Sequence, residues 1–86
     1  MAGCPEIRIE GVTPEVWSCL WRRAREIGLP AQQTPSGRLD HPDGAADWRW
    51  DEGAGVLSIT VTRTRRMDCA WLEQRLRETA RACGAR

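Results

Sequence analysis

Eighty-six residues with a formal net charge of +1 make one small domain, of a size that buries about 60–65% of the surface its unfolded chain exposes. A near-neutral chain has no global field to draw in nucleic acid or a membrane surface, and no stretch approaches the ~18 apolar residues that span a bilayer. All thirteen basic residues are Arg and all five aromatics are Trp, while Lys, Asn, Phe and Tyr are missing. The absent types have AT-rich codons, so the composition points to a GC-rich genome. Arg richness then reflects codon supply as much as phosphate binding, and Trp is the ring left for building a core.

Ile7 and Ile9 alternate with Arg8 and Glu10, which predicts a strand over Glu6–Val12. Thr13-Pro14-Glu15 opens a helix, with Thr13 as N-cap, Pro14 at the first helical position and Glu15 favoured by the dipole. Val12 and Trp17 have the spacing of a hydrophobic staple. Val16, Leu20, Ala24 and Ile27 form the apolar stripe, and Gly28 and Pro30 end the helix. A loop over Ala31–Gly37 leads to a candidate strand, Arg38–His41, and Pro42-Asp43-Gly44 supplies the turn after it. Trp48 and Trp50 alternate with polar residues across Ala46–Asp51, as do Leu57, Ile59 and Val61 across Val56–Thr64, around a Gly-rich turn. A second helix over Asp68–Cys83 repeats the logic of the first: Asp68 caps it, Met67 and Leu72 have staple spacing, and Leu72, Leu76, Thr79, Ala80 and Cys83 form its stripe with Cys69. The pattern predicts an α+β two-layer domain, β-α-β-β-β-α, with a largely antiparallel sheet and both helices on its apolar face. Residues 1–86 form a single domain, with 1–5 and 85–86 expected to fray.

Cys4, Cys19, Cys69 and Cys83 show no C-x-x-C and no second ligand cluster, so no zinc site is expected. Cys69 and Cys83 sit about 21 Å apart along one helix and cannot pair with each other. With no apolar signal segment at the N-terminus, the expectation is a cytoplasmic protein with four reduced thiols. The competing expectation is a secreted, disulfide-stapled domain in which Cys4 pairs with one of the helical cysteines.

Two surface features stand out. Arg63, Arg65 and Arg66 gather at a strand end just before a helix N-terminus, where a phosphate or carboxylate would be favoured. From Arg63 to Arg86, seven Arg face three acids, a local balance of +4. Trp71 lies off the apolar stripe of the second helix beside Arg75 and Glu78, the composition of a protein-binding hot spot. His41, the single histidine, stands in the turn sequence Asp40-His41-Pro42-Asp43-Gly44 without the further ligands or nucleophile that metal or acid–base chemistry needs. Cys19 falls near the polar arc of the first helix.

Trp48-Arg49-Trp50-Asp51, a short Gly turn, Leu57-Ser58-Ile59-Thr60-Val61 and a closing helix together resemble small bacterial proteins of this length that carry no known function. That resemblance covers about half the chain; it implies the fold and a bacterial origin and supplies no site residues. The helix–three strands–helix order after Val12 is also similar to double-stranded-RNA-binding domains. That family carries a basic signature at the start of its last helix, whereas Met67-Asp68-Cys69-Ala70-Trp71 holds an acid and no base. The expected function is a non-enzymatic interaction module that binds a protein partner or itself through Trp71, Arg75 and Glu78. An anion or nucleic-acid binder using Arg63, Arg65 and Arg66 comes second and an enzyme third. No catalytic residue, metal or cofactor is expected, and neither nucleic acid nor a membrane is a favoured partner.

Overall fold

The computed structural model describes residues 3–26, 28, 34–42, 44–64 and 68–85. Its elements run β1 (Ile7–Ile9), α1 (Pro14–Glu26), β2 (Ser36–His41), β3 (Gly44–Asp51), β4 (Val56–Thr64) and α2 (Cys69–Ala82). The four strands form one antiparallel sheet in the order β1-β4-β3-β2. The expected element order and α+β class are therefore present. Arg38–His41 belongs to a true strand that starts two residues earlier, and Ile27, Pro30, Asp43 and Met67 lie outside the described residues.

Register explains the two faces. Trp48 opposes Ile59, Trp50 opposes Leu57, and Ile7 and Ile9 oppose Ile59 and Leu57 from the other side, so one face is continuously apolar. Asp47 opposes Thr60, and Arg49 and Arg8 both oppose Ser58, so the other face is polar. This is the division expected of an antiparallel sheet with helices on one side.

Val12 anchors the junction of β1 and α1. It is 0% exposed; its N–H donates to Gly55 O at 2.8 Å, and its carbonyl accepts from Trp50 Nε1 at 2.9 Å. Thr13 Oγ1 then accepts from Val16 N–H at 3.3 Å, the expected N-cap bond. Trp17 stacks on Trp50 with ring centroids 4.8 Å apart, and Trp21 meets Trp48 edge-on at 5.1 Å. Helix α1 therefore starts over the β3–β4 turn and runs toward the end of the sheet where β3 begins and β4 stops.

Helix α2 is held differently. Ala80 is its one buried residue. Asp68 occupies the N-cap position, yet its side chain makes no capping bond, which corrects the expected cap. The other end closes as a Schellman turn: Gly84, at φ 109°, donates to Arg81 O at 3.0 Å and Ala85 donates to Ala80 O at 2.9 Å. The decisive ties are covalent. Cys4 is disulfide-bonded to Cys69 and Cys19 to Cys83, with Cα–Cα distances of 5.6 and 5.7 Å, and there are no free cysteines. The expectation of four reduced thiols is overturned, and the competing pairing of Cys4 with a helical cysteine is the one found. Sequence spacing could not show this, because each bridge spans 64 or 65 residues. Cys4 is also no loose end: it is buried and its N–H donates to Val61 O at 2.8 Å.

Candidate functional site

The two helices diverge over the apolar face. Helix α1 lies against β3 through its tryptophans. Helix α2 sits toward β1, where Arg77 donates to Arg8 O at 3.1 Å and Cys69 is bonded to Cys4. They are joined at Cys19–Cys83 and separate toward the start of β3 and the end of β4. Between them lies a cleft of about 630 Å³ with a largely apolar lining. Its floor is Ala46 and Trp48 of β3 with Leu57, Ile59 and Val61 of β4. One wall is Trp17, Leu20, Trp21 and Ala24 of α1; the other is Trp71, Leu72, Leu76 and Thr79 of α2. Four of the five tryptophans line it.

The cleft exists because α2 carries a thin stripe. Leu72 and Leu76 are its large aliphatics, and both are half-buried, as are Leu20 and Ile59 across from them. A helix free to move would close over such a surface to remove it from water, since burial is worth about 25 cal/mol per Å². Two disulfides, one at the first residue of α2 and one at its C-cap, set where it stands.

Few polar groups line the cleft. Among the described residues, Arg23, Arg63 and Arg75 line the cleft together with one acid, Glu26. Arg63 reaches the neutral carbonyl of Pro42 at 3.5 Å. Arg75 lies 5.9 Å from the Trp71 ring centroid, in cation–π range, and meets Glu78 at 4.0 Å, the outer limit of an ion pair. Trp71 is 51% exposed, the largest apolar side chain so exposed among the described residues. Inside, Trp21 Nε1 is buried with no hydrogen-bond partner among the described residues. An indole N–H in that state costs about 1–3 kcal/mol.

The residues singled out in the sequence divide accordingly. Trp71 and Arg75 face the cleft, whereas Glu78 lies off it, accepting from Gln74 at 3.2 Å. Arg63 also lines the cleft, so it and Trp71, expected as members of separate sites, border one feature. Arg65 and Arg66 lie outside the described residues. His41 ends β2 opposite Gly44, while the neighbouring Asp40 is bonded to Arg38 at 3.4 Å. No group of His, Cys, Asp or Glu among the described residues is arranged to hold a metal ion, and no described helix is long and apolar enough to cross a membrane. Cys19 is committed to its disulfide.

Trp48 lies in the core as its alternation implies, with Ile59 and Leu76 packed against that core and half-buried; the apolar pattern carries no sign of the cleft beside them. The available signal was the two cysteines flanking the stripe of α2, a place where covalent ties can stand in for packing. Comparison with family models, with curated proteins and with solved structures gives no match.

Proposed function

We propose that the protein is a non-enzymatic binding module that holds an apolar part of another molecule in the cleft between α1, α2 and the sheet. The observation that carries this reading is an apolar concavity whose far wall is fixed by disulfides at both ends. Its volume of about 630 Å³ falls within the roughly 300–1,000 Å³ of small-ligand sites, which are likewise mostly apolar with a few polar groups. This moves the interaction surface from the outer side of α2, where Trp71, Arg75 and Glu78 were expected to act together, to its inner side. Two disulfides are the chemistry of an oxidising compartment, so we place the protein there rather than in the reducing cytoplasm.

The test uses a neutral apolar dye. Nile red should bind one to one with a blue-shifted emission, and Ala46→Phe, which fills the floor, should abolish binding while the fold persists by circular dichroism. Absence of dye binding, or equal binding by a folded Ala46→Phe variant, would refute the cleft as a binding site.

A further inference from the structure

We infer that β2 is a self-docking edge: two copies of the chain pair antiparallel along it, Arg38 of each opposite Asp40 of the other, to give one continuous sheet ordered β1-β4-β3-β2-β2-β3-β4-β1. Nothing in this pairing depends on what the cleft holds. The two ends of the sheet are not alike. Strand β1 is three residues long, and the carbonyl of its middle residue, Arg8, already accepts from Arg77 at 3.1 Å. Strand β2 is six residues long, contains no proline and pairs with β3 without a register shift. Proteins ordinarily blunt a terminal strand with a proline, a bulge or very short length, and β2, which ends the sheet, has none of the three.

One bond fixes which way the backbone of β2 faces. Trp50 N–H donates to Pro35 O at 2.6 Å, so this opposed pair, one step beyond Ser36 and Arg49, is a hydrogen-bonded one. Hydrogen-bonded and non-hydrogen-bonded pairs alternate along an antiparallel ladder. Gly37, Leu39 and His41 therefore turn their backbone groups toward β3, and Ser36, Arg38 and Asp40 turn theirs outward. Ser36 O accepts instead from the Thr34 hydroxyl at 2.9 Å. Among the described residues, no hydrogen bond occupies the outward backbone groups of Arg38 and Asp40.

Charge then selects the register. Outward residues must meet outward residues, so a two-fold pairing centres on one residue of β2. Centred on Arg38 or on Asp40, it sets that charge against its own image, which destabilises a cross-strand pair. Centred on Gly37, it matches Arg38 only with Ser36. Centred on Leu39, it sets Arg38 opposite Asp40 at both hydrogen-bonded pairs, and Leu39 opposite Leu39 at the closer, non-hydrogen-bonded position. The side chains of Arg38 and Asp40 are more than half exposed, and Arg38 already stands 3.6 Å from Asp47 of β3. Asp40 of the second copy extends that alternating row across the joint. Leu39 is half-buried, and pairing with its twin removes more of it from water. The contact is isologous and closes on itself, so it makes a dimer and not a filament.

Sedimentation velocity of the oxidised protein, from micromolar to millimolar concentration, tests the edge. The native chain should pass from monomer to dimer. Arg38→Asp and Asp40→Arg each set like charges against one another at the joint, and each should weaken association by about tenfold or more while keeping the native circular dichroism. Mixed one to one, the two variants should recover association, because every charged pair across the joint is again of opposite sign. A native protein that stays monomeric throughout overturns the pairing, as does native-strength association by either folded variant. A mixture that associates no better than its components overturns it too. Should one variant fail to fold, the other decides the comparison with the native chain.

Discussion

Cys19, in the middle of α1, is covalently joined to Cys83, the C-cap residue of α2, with their Cα atoms 5.7 Å apart. The bond fixes the point from which the two helices separate. With Cys4–Cys69 at the other end of α2, it sets the width of the cleft by a covalent constraint where packing against the sheet is thin.

The first prediction follows from those bonds. The native protein should have a mass four hydrogens below that of its reduced form and no thiol open to alkylation when denatured without reductant. On the chain-entropy model, a crosslink closing a loop of this length is worth about 4 kcal/mol, a large share of the 5–15 kcal/mol available to a small domain. Because the two loops overlap, their contributions should add to less than twice that. Cys19→Ser with Cys83→Ser should lower the urea midpoint sharply. Finding four alkylatable thiols in the native protein would contradict the paired state.

Trp50 is the second test. Its ring stacks on Trp17, and its Nε1 donates to the buried carbonyl of Val12 at 2.9 Å. Trp50→Phe keeps a ring but leaves that carbonyl without its donor, so a loss of about 1–3 kcal/mol is expected. Trp50→Ala removes the ring too and should cost about 3–5 kcal/mol. Equal melting temperatures for the native protein and Trp50→Phe would show that the indole N–H contributes nothing.

Legibility in the sequence tracked local pattern. Strand β4 was readable to the residue, Val56–Thr64, because Leu57, Ile59 and Val61 alternate without interruption. Strand β2 was readable only in part: its one large apolar residue is Leu39, and an edge strand with a single apolar side chain has almost no period to detect. Stripe assignment for α2 was sound in composition, since Leu72, Leu76, Ala80 and Cys83 all turn inward. What the stripe could not convey is distance. Whether Leu76 meets the sheet or stands off from it depends on where the helix is pinned, and that is decided by cysteine pairings that couple opposite ends of the chain.

Gly37 supplies the third prediction. It lies across from Trp48 on the edge strand, and a Cβ there would fall 2.7 Å from Trp48 Cζ2. The indole has little room to retreat: Nε1 is bonded to Thr34 O at 2.9 Å and the ring abuts Trp21. Gly37→Ala should therefore destabilise by about 1–3 kcal/mol, the usual range for overpacking. A companion change on the same strand, Leu39→Ala, removes a half-buried side chain instead and should leave Trp fluorescence at 25 °C nearly unchanged. If Gly37→Ala melts at the native temperature with native Trp emission, the ring is not held as the hydrogen bond implies.

The last prediction separates stability from binding at Trp71. The side chain is 51% exposed and lines the cleft. Arg75, on the same helix, lies at cation–π distance from its ring. Substitution of an exposed residue outside a packed core ordinarily changes stability by no more than about 0.5 kcal/mol, so Trp71→Ala should unfold at the native midpoint. Binding should respond differently, because the large aromatic wall at the mouth is lost and Arg75 loses the ring that orients it. Affinity for a neutral apolar probe should fall about five- to thirtyfold, in keeping with the roughly 1–2 kcal/mol expected from truncating a partly buried contact aromatic. Calorimetric unfolding and a dye titration on the same preparation read the two effects independently. A Trp71→Ala protein that loses stability but binds normally would place Trp71 in the core and remove it from the cleft.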